Sequence, residues 1–211
     1  MKIDRPERVE ELLSSATGAP IDRDTSQRIV GAAGLFEGHF RLQSGRHSNF
    51  FLRVSQLAFR PDDAEYWAGR MAALVQPAAR ATVCLVAGNA GRALATALAS
   101  KLGVRLAVSK VDGRRRPIES LEEGQAINSK DRVLLVSDMI TTGGSLETLE
   151  AIIRAQKAKA VGVVSLCASR EVRDSRKDVS ALFVARWSAV EAKDCPQCAA
   201  RASLWPAYDL A

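Results

Sequence analysis

The sequence predicts an α/β protein built on a doubly wound parallel sheet, and two observations carry that prediction. Short apolar runs recur through the later part of the chain, at residues 82–87, 105–109, 133–137, 161–167 and 181–185. They are rich in Val and Leu and do not alternate with polar residues, as expected of strands covered on both faces. Between them lie residues 93–102 and 146–157, where apolar residues recur at helical spacing. Strand, helix, strand in that order implies right-handed crossovers and parallel pairing, with ligands at the carboxyl ends of the strands.

The remaining elements follow from local chemistry. Two helices are expected at 6–15 and 26–34, separated by Gly18-Ala-Pro20. Extended stretches at 39–42 and 49–54 flank Ser44-Gly45-Arg46-His47-Ser48, whose Ser and Gly suit a turn. Pro61-Asp62-Asp63 opens a helix to about residue 75, because Pro fits a first helical turn and carboxylates favour its positive end. From residue 192 the chain reads as a tail containing Cys195-Pro-Gln-Cys198. The expected organisation is a helical and hairpin hood over 1–60, a core over 61–190 and the tail over 191–211.

Composition narrows the function. Hydrophobic residues make up 47% and charged residues 26%, which excludes disordered and collagen-like chains. No apolar run reaches the roughly 18 residues of a membrane span, and the start lacks an apolar signal core. With 30 Lys and Arg against 24 Asp and Glu, the net charge is +6, which favours a polyanionic partner such as a phosphorylated small molecule. An aromatic content of 5% argues against single-strand nucleic-acid binding, which needs stacking platforms. Four cysteines in 211 residues do not make a disulfide scaffold. The expectation is a reduced, cytoplasmic protein with no nucleic-acid or membrane partner.

The most informative stretch is Val133-Leu-Leu-Val-Ser-Asp-Met-Ile-Thr-Thr-Gly-Gly-Ser145, leading into a helix. A buried strand ends near Asp138, and Thr141, Thr142, Gly143, Gly144 and Ser145 form the loop to the helix. Glycines admit close backbone approach, amides and hydroxyls donate, and the helix amino terminus adds about half a positive charge: a phosphate cradle. Asp138 is placed to accept from the hydroxyls of an attached sugar. The other reading is a Gly-rich turn with Ser145 as an ordinary cap. No P-loop and no Gly-x-Gly-x-x-Gly follows a strand.

This stretch resembles the signature of the type I phosphoribosyltransferases: an apolar strand, two acids, then Thr-Thr-Gly-Gly-Ser. Here Ser137 stands in place of the first acid. Gly38-His-Phe-Arg-Leu-Gln-Ser-Gly-Arg-His-Ser-Asn-Phe-Phe51 looks like the amino-terminal segment of orotate phosphoribosyltransferases, and Asp194-Cys-Pro-Gln-Cys198 resembles the Cys-Pro-Leu-Cys ending of one branch. The resemblance implies transfer of 5-phosphoribosyl from 5-phosphoribosyl-1-pyrophosphate to orotate, Mg2+ as cofactor, and a homodimer. It implies that residues 141–145 hold the 5-phosphate, with Asp138 on the ribose hydroxyls. Gly88, Asn89, Ala90 and Gly91 would bind pyrophosphate, and Phe50, Phe51 and Arg170 would meet the base. A mobile basic loop, here 109–124, would close over the partner's site with Lys110, Arg114, Arg115 and Arg116; its other reading is a solvated loop or a nucleic-acid contact. Glu122 and Glu123 replace a basic pair of that branch; either they place negative charge near the leaving pyrophosphate, or they point to solvent while Arg114–Arg116 supply the charge. The alternatives are a transferase for another base and a non-catalytic regulator that binds the donor or a nucleotide.

Cys195 and Cys198 have zinc-ligand spacing, but one pair is half a site. Zinc would need a second pair, from a dimer mate or from Cys84 and Cys167, so the tail reads first as inert or redox-sensitive, with no metal. His47, in its Ser/Gly turn, reads as a surface or packing residue, and Trp67, Trp187 and Trp205 as core or interface.

Overall fold

The computed structural model describes every residue except 16–17, 33, 43, 77–78, 89–90, 114–115 and 208–211. Its centre is a seven-stranded sheet built around five parallel strands, β4 (Val83–Ala87), β5 (Arg105–Val111), β7 (Arg132–Ile140), β8 (Lys159–Ser169) and β9 (Val179–Ala185). Two antiparallel edge strands complete it, β1 (Leu13–Ser15) beside β9 and β6 (Pro117–Leu121) beside β5. The strand order is β1-β9-β8-β7-β4-β5-β6.

Alternate side chains on each strand enter different cores, which is why the runs lack polar alternation. Cys84, Val86, Leu134 and Val136 face α4 (Pro61–Ala72) and α5 (Arg92–Leu102), packing on Trp67, Met71, Leu94 and Leu98. Val83, Leu85, Val133 and Leu135 face α6 (Gly144–Ala155), packing on Leu146, Leu149 and Ile153. Helices therefore lie on both faces, as a doubly wound sheet requires. The amino ends of β4, β5 and β7 are tied by Asp131, which is buried. Its carboxylate accepts from Arg105 (2.6 Å), the Asn128 backbone N–H (2.8 Å) and the Thr82 hydroxyl (3.0 Å). Burial works to raise its pKa, but these donors together hold it below the ordinary value.

A second sheet joins β2 (Leu35–Arg41) and β3 (His47–Leu52) as an antiparallel hairpin, with β10 (Trp205–Pro206) parallel to β2. The amino-terminal helices are α1 (Pro6–Leu12) and α2 (Arg23–Gly31). The first is shorter than the sequence suggests, because residues 13–15 leave it to pair with β9. The second begins three residues earlier than expected: Asp22 is its cap, accepting from the Thr25 N–H at 2.8 Å. Among the described residues no helix is long and apolar enough to cross a membrane.

Candidate active site

Strand order reverses direction between β4 and β7: the chain steps outward from β4 to β5, then returns to β7 on the other side. Loops leaving neighbouring strands on either side of such a point diverge and open a crevice at the carboxyl edge. The two loops singled out in the sequence leave these two strands.

Asp138 lies in β7, two residues before its end, and is half-buried. Burial pushes its carboxyl above the ordinary pKa, opposed by the Met139 backbone N–H, which donates to Oδ1 at 2.7 Å. Ser137 does not substitute for the missing acid. Its hydroxyl donates to the Met139 carbonyl at 3.3 Å, so it is turned onto its own backbone.

Beyond Ile140 the chain bends into α6. Gly143 is the N-cap, with φ +88, in the left-handed region that a side chain disfavours. It brings no side chain to compete for the first amides of α6. Thr142, Gly144 and Ser145 are exposed, so their donors are open to a ligand. The loop is pinned from behind by Ser169, which the sequence reading missed. Its hydroxyl donates to the Thr141 carbonyl at 2.7 Å and accepts from the Val172 N–H at 3.2 Å. The same atom thus fixes the loop and caps α7 (Arg170–Ser175), setting exposed Arg170 at that helix's first position. The available signal was a Ser ahead of a helix-opening Arg-Glu.

The other loop runs past Asp138. A Cβ on Gly91 would lie 3.6 Å from the Asp138 nitrogen and 3.2 Å from Val86 Cγ2. Gly88 is buried at φ +56, and a Cβ there would collide with Cγ1 of Val111. Asn89 and Ala90 lie outside the described residues. Arg92 opens α5 directly after this loop and pairs with Glu122. Glu122 is therefore engaged by a cation, while Glu123 is exposed to solvent.

Residues 109–124 do not form one open loop. Most of the segment is a hairpin in which β5 and β6 pair from Ser109↔Leu121 to Val111↔Pro117. At its turn, Arg116 Nε and Nη2 donate to Asp112 Oδ2 at 2.9 and 2.8 Å. Lys110 is exposed on β5; Arg114 and Arg115 lie outside the described residues. Of the two aromatics, Phe50 is a core side chain, 5% exposed and packed on the Trp187 ring at 5.5 Å. Phe51 is half-buried and keeps open surface. Arg46 pairs with Glu191 (3.1 Å) and reaches Glu171 (3.7 Å), which draws the β2–β3 turn toward α7 and Arg170.

The tail cysteines have partners that the sequence reading did not choose. The ligand atoms of His39, His47, Cys195 and Cys198 all lie within 4.8 Å of one another. Burial, then the neighbouring His39 and Arg41, pushes the His47 imidazole below its ordinary pKa. Cys84 and Cys167 stay in their strands, and burial pushes both thiols up to about 12. Trp67 is a core residue, whereas Trp205 is 57% exposed.

A mostly parallel sheet thus sets a Gly-rich helix opening on one side of the switch point and Gly88 and Gly91 on the other. The model of the phosphoribosyl transferase domain matches residues 83–192, and the chain belongs to that family. Orotate phosphoribosyltransferases are among its relatives. That of Sulfurimonas denitrificans is 34% identical over 154 residues, 72% of this chain and 74% of the relative. That of Pelotomaculum thermopropionicum is 33% identical over 180 residues, 83% of this chain and 92% of the relative. In fold the chain is similar to the orotate phosphoribosyltransferase of Aeropyrum pernix, with TM-score 0.59 at 20% identity over 75% of this chain and 90% of that one. It is also similar to the UMP synthase of Leishmania donovani, with TM-score 0.62 at 20% identity, spanning 75% of this chain and 35% of that one.

Proposed function

We propose that the chain transfers the 5-phosphoribosyl group of 5-phosphoribosyl-1-pyrophosphate to orotate, releasing pyrophosphate and giving orotidine 5-phosphate. One observation carries the reading: Gly91, Asp138 and the amino terminus of α6 meet at the switch point between β4 and β7. The 5-phosphate is assigned to Thr141, Thr142, Gly143, Gly144 and Ser145, and the ribose hydroxyls to Asp138. Pyrophosphate is assigned to the loop from Gly88 to Gly91. Arg92 of the same chain and, across the dimer proposed below, Lys110 and Arg116 of the partner's hairpin are the cations assigned to neutralise it. Orotate is assigned to Phe51 and Arg170, the latter's guanidinium suiting a carboxylate.

The site residues fit a hard divalent cation. Mg2+ keeps several waters and takes one or two carboxylates plus substrate phosphates, and Asp138 supplies one half-buried carboxylate. When bound, Mg2+ supplies charge neutralisation to the pyrophosphate. The chain's own residues orient the ribose carbon between leaving group and base, exclude water, and stabilise developing charge. No side-chain nucleophile is required.

A homodimer is proposed as well, with the β5–β6 hairpin of one chain reaching the partner's site. In support, β6 is an edge strand whose Ile118, Glu119 and Ser120 are exposed.

The test is Mg2+-dependent formation of orotidine 5-phosphate by the purified protein, run beside a panel of other bases. Product from orotate alone supports the assignment, and product from another base redirects it. Donor binding with no pyrophosphate release from any base would mean a regulator. For the phosphate loop, a Thr142→Val, Ser145→Ala double variant should lose monophosphate affinity by calorimetry. Each charge-assisted hydrogen bond removed accounts for about 1.5–3 kcal/mol.

A further inference from the structure

We infer that His39, His47, Cys195 and Cys198 form a structural zinc site that fastens the tail onto the β2–β3 hairpin. The four ligands come from three segments. His39 is on β2, His47 is at the start of β3, Cys195 is the N-cap of α8 (Pro196–Ala199) and Cys198 lies within it. His39, His47 and Cys195 are buried, at 3%, 4% and 5% exposure, and Cys198 is half-buried.

Four of the six separations match the edges of a coordination shell, and all six are within 4.8 Å. A tetrahedral zinc with bonds of about 2.0–2.1 Å to nitrogen and about 2.3 Å to sulfur has nitrogen–sulfur edges of about 3.5 Å and a nitrogen–nitrogen edge of about 3.3 Å. The observed edges are 3.4 Å for Cys195 Sγ to His39 Nε2, 3.6 Å for Cys198 Sγ to His39 Nε2, and 3.2 Å for Cys198 Sγ to His47 Nδ1. His39 Nε2 to His47 Nδ1 is 3.1 Å.

Hydrogen bonding alone does not account for this convergence. His39 Nδ1 lies 3.1 Å from the Ala202 carbonyl, an acceptor only, so Nδ1 carries the proton and Nε2 presents a lone pair. That single lone pair is approached by three groups, of which only one can donate to it. A cation at the centre uses all of them at once. The carbonyl behind His39 is the outer partner that ligating histidines characteristically have. A donor set of two thiolates and two imidazoles selects zinc among the common divalent ions, and each thiol releases a proton to solvent on binding.

The site ties together backbone that is already adjacent. Gln197 Nε2 donates to the Gly38 carbonyl at 3.2 Å, His47 and Val190 exchange backbone bonds at 2.8 Å, and β10 pairs with β2. The hairpin so fastened carries Phe51 and Arg46, so the metal acts on the shape of the base-facing side without touching the phosphate loops.

The test begins with the whole protein purified under reducing conditions without chelator or added metal. Elemental analysis should find one zinc per chain. Replacement by Co2+ should give intense visible ligand-field bands with thiolate charge transfer, as four-coordinate sulfur–nitrogen sites do. Cys198→Ser should lose the metal. His47→Cys keeps a competent ligand set, so it should retain zinc and strengthen the thiolate charge-transfer band, which separates ligation from mere misfolding. On chelation, hydrogen exchange should quicken in residues 195–202 and 35–52 while β4 and β7 stay protected. Wild-type protein with well under one zinc per chain, octahedral cobalt spectra, or a Cys195–Cys198 disulfide in the chelator-free protein would each overturn the proposal.

Discussion

Gly88→Ala is the most exacting probe of the proposed pyrophosphate loop, because its cost divides into two parts that can be measured apart. The first is conformational. At φ +56 the backbone is left-handed, and an L side chain there costs about 1–2 kcal/mol. The second is steric: the new Cβ collides with Cγ1 of Val111, and overpacking of that kind costs about 1–3 kcal/mol. Val111→Ala removes the colliding methyl and leaves Val111 Cβ 3.8 Å from the new atom, an ordinary contact. Urea unfolding of the wild type, both single variants and the double variant closes a double-mutant cycle. Gly88→Ala should lose about 2–5 kcal/mol. The double variant should recover the steric part but not the conformational part. Donor KM should follow the same order if the loop holds pyrophosphate, since moving the loop moves its amides. Wild-type stability in Gly88→Ala, or no recovery with Val111→Ala, would refute the geometry. Recovery of stability with unchanged donor KM throughout would refute the assignment to pyrophosphate.

Three further outcomes are expected. Asp138→Asn should raise the melting temperature at neutral pH while lowering turnover roughly 10²-fold. The native carboxyl has a raised pKa, so its charge opposes folding above that value. The stability gain should shrink as pH falls through the raised pKa toward the unfolded value of about 3.9, and a gain that is flat with pH would contradict this. Glu122→Gln should free Arg92 and lower donor KM by about fivefold, or about 1 kcal/mol of extra attraction, whereas Glu122→Arg sets like charges together and should cost stability; equal donor KM in the Gln variant and wild type would remove Arg92 from the site. Asp131→Asn should cost about 1–3 kcal/mol at neutral pH. Because the Asp131 pKa is depressed, its contribution is present above about 3.9 and disappears as pH falls through the folded value, so variant and wild type should converge in acid.

The parts legible in the sequence are those written in consecutive residues. The run from Val133 to Ser145 spells strand, acid, loop and helix in the order the chain traces them, so Asp138 and the α6 cradle were readable from local physics. Edges were harder. Leu13–Ser15 reads as the end of an amphipathic helix, and only the distant β9 makes it a strand. The segment 109–124 carries enough charge to read as a solvated loop, yet Val111 and Pro117 pair as an edge hairpin. The role of Glu122 depends on Arg92, thirty residues away, which no spacing rule links to it. The His39–His47–Cys195–Cys198 cluster was hidden for the same reason: hairpin register and the tail's return assemble it. Its one sequence signal is that the chain has only two histidines and a Cys-x-x-Cys that lacks partners.

Two short strands near the ends of the chain pair with distant partners. Near the amino terminus, Leu13–Ser15 extends the main sheet beyond β9, and near the carboxyl terminus, Trp205–Pro206 extends the hairpin sheet beside β2. Each pairing closes a loop spanning most of the polypeptide, at an entropic cost of about 4–5 kcal/mol from loop length alone. Such closures follow rather than lead folding, since their contacts give no return until the intervening chain is compact. During synthesis, therefore, the parallel strands β4 to β9 are complete while the hairpin sheet still lacks its third strand, and the sheet that carries Phe51 is finished only when the tail arrives. On this reckoning the hairpin sheet is completed last, on a core that is already formed.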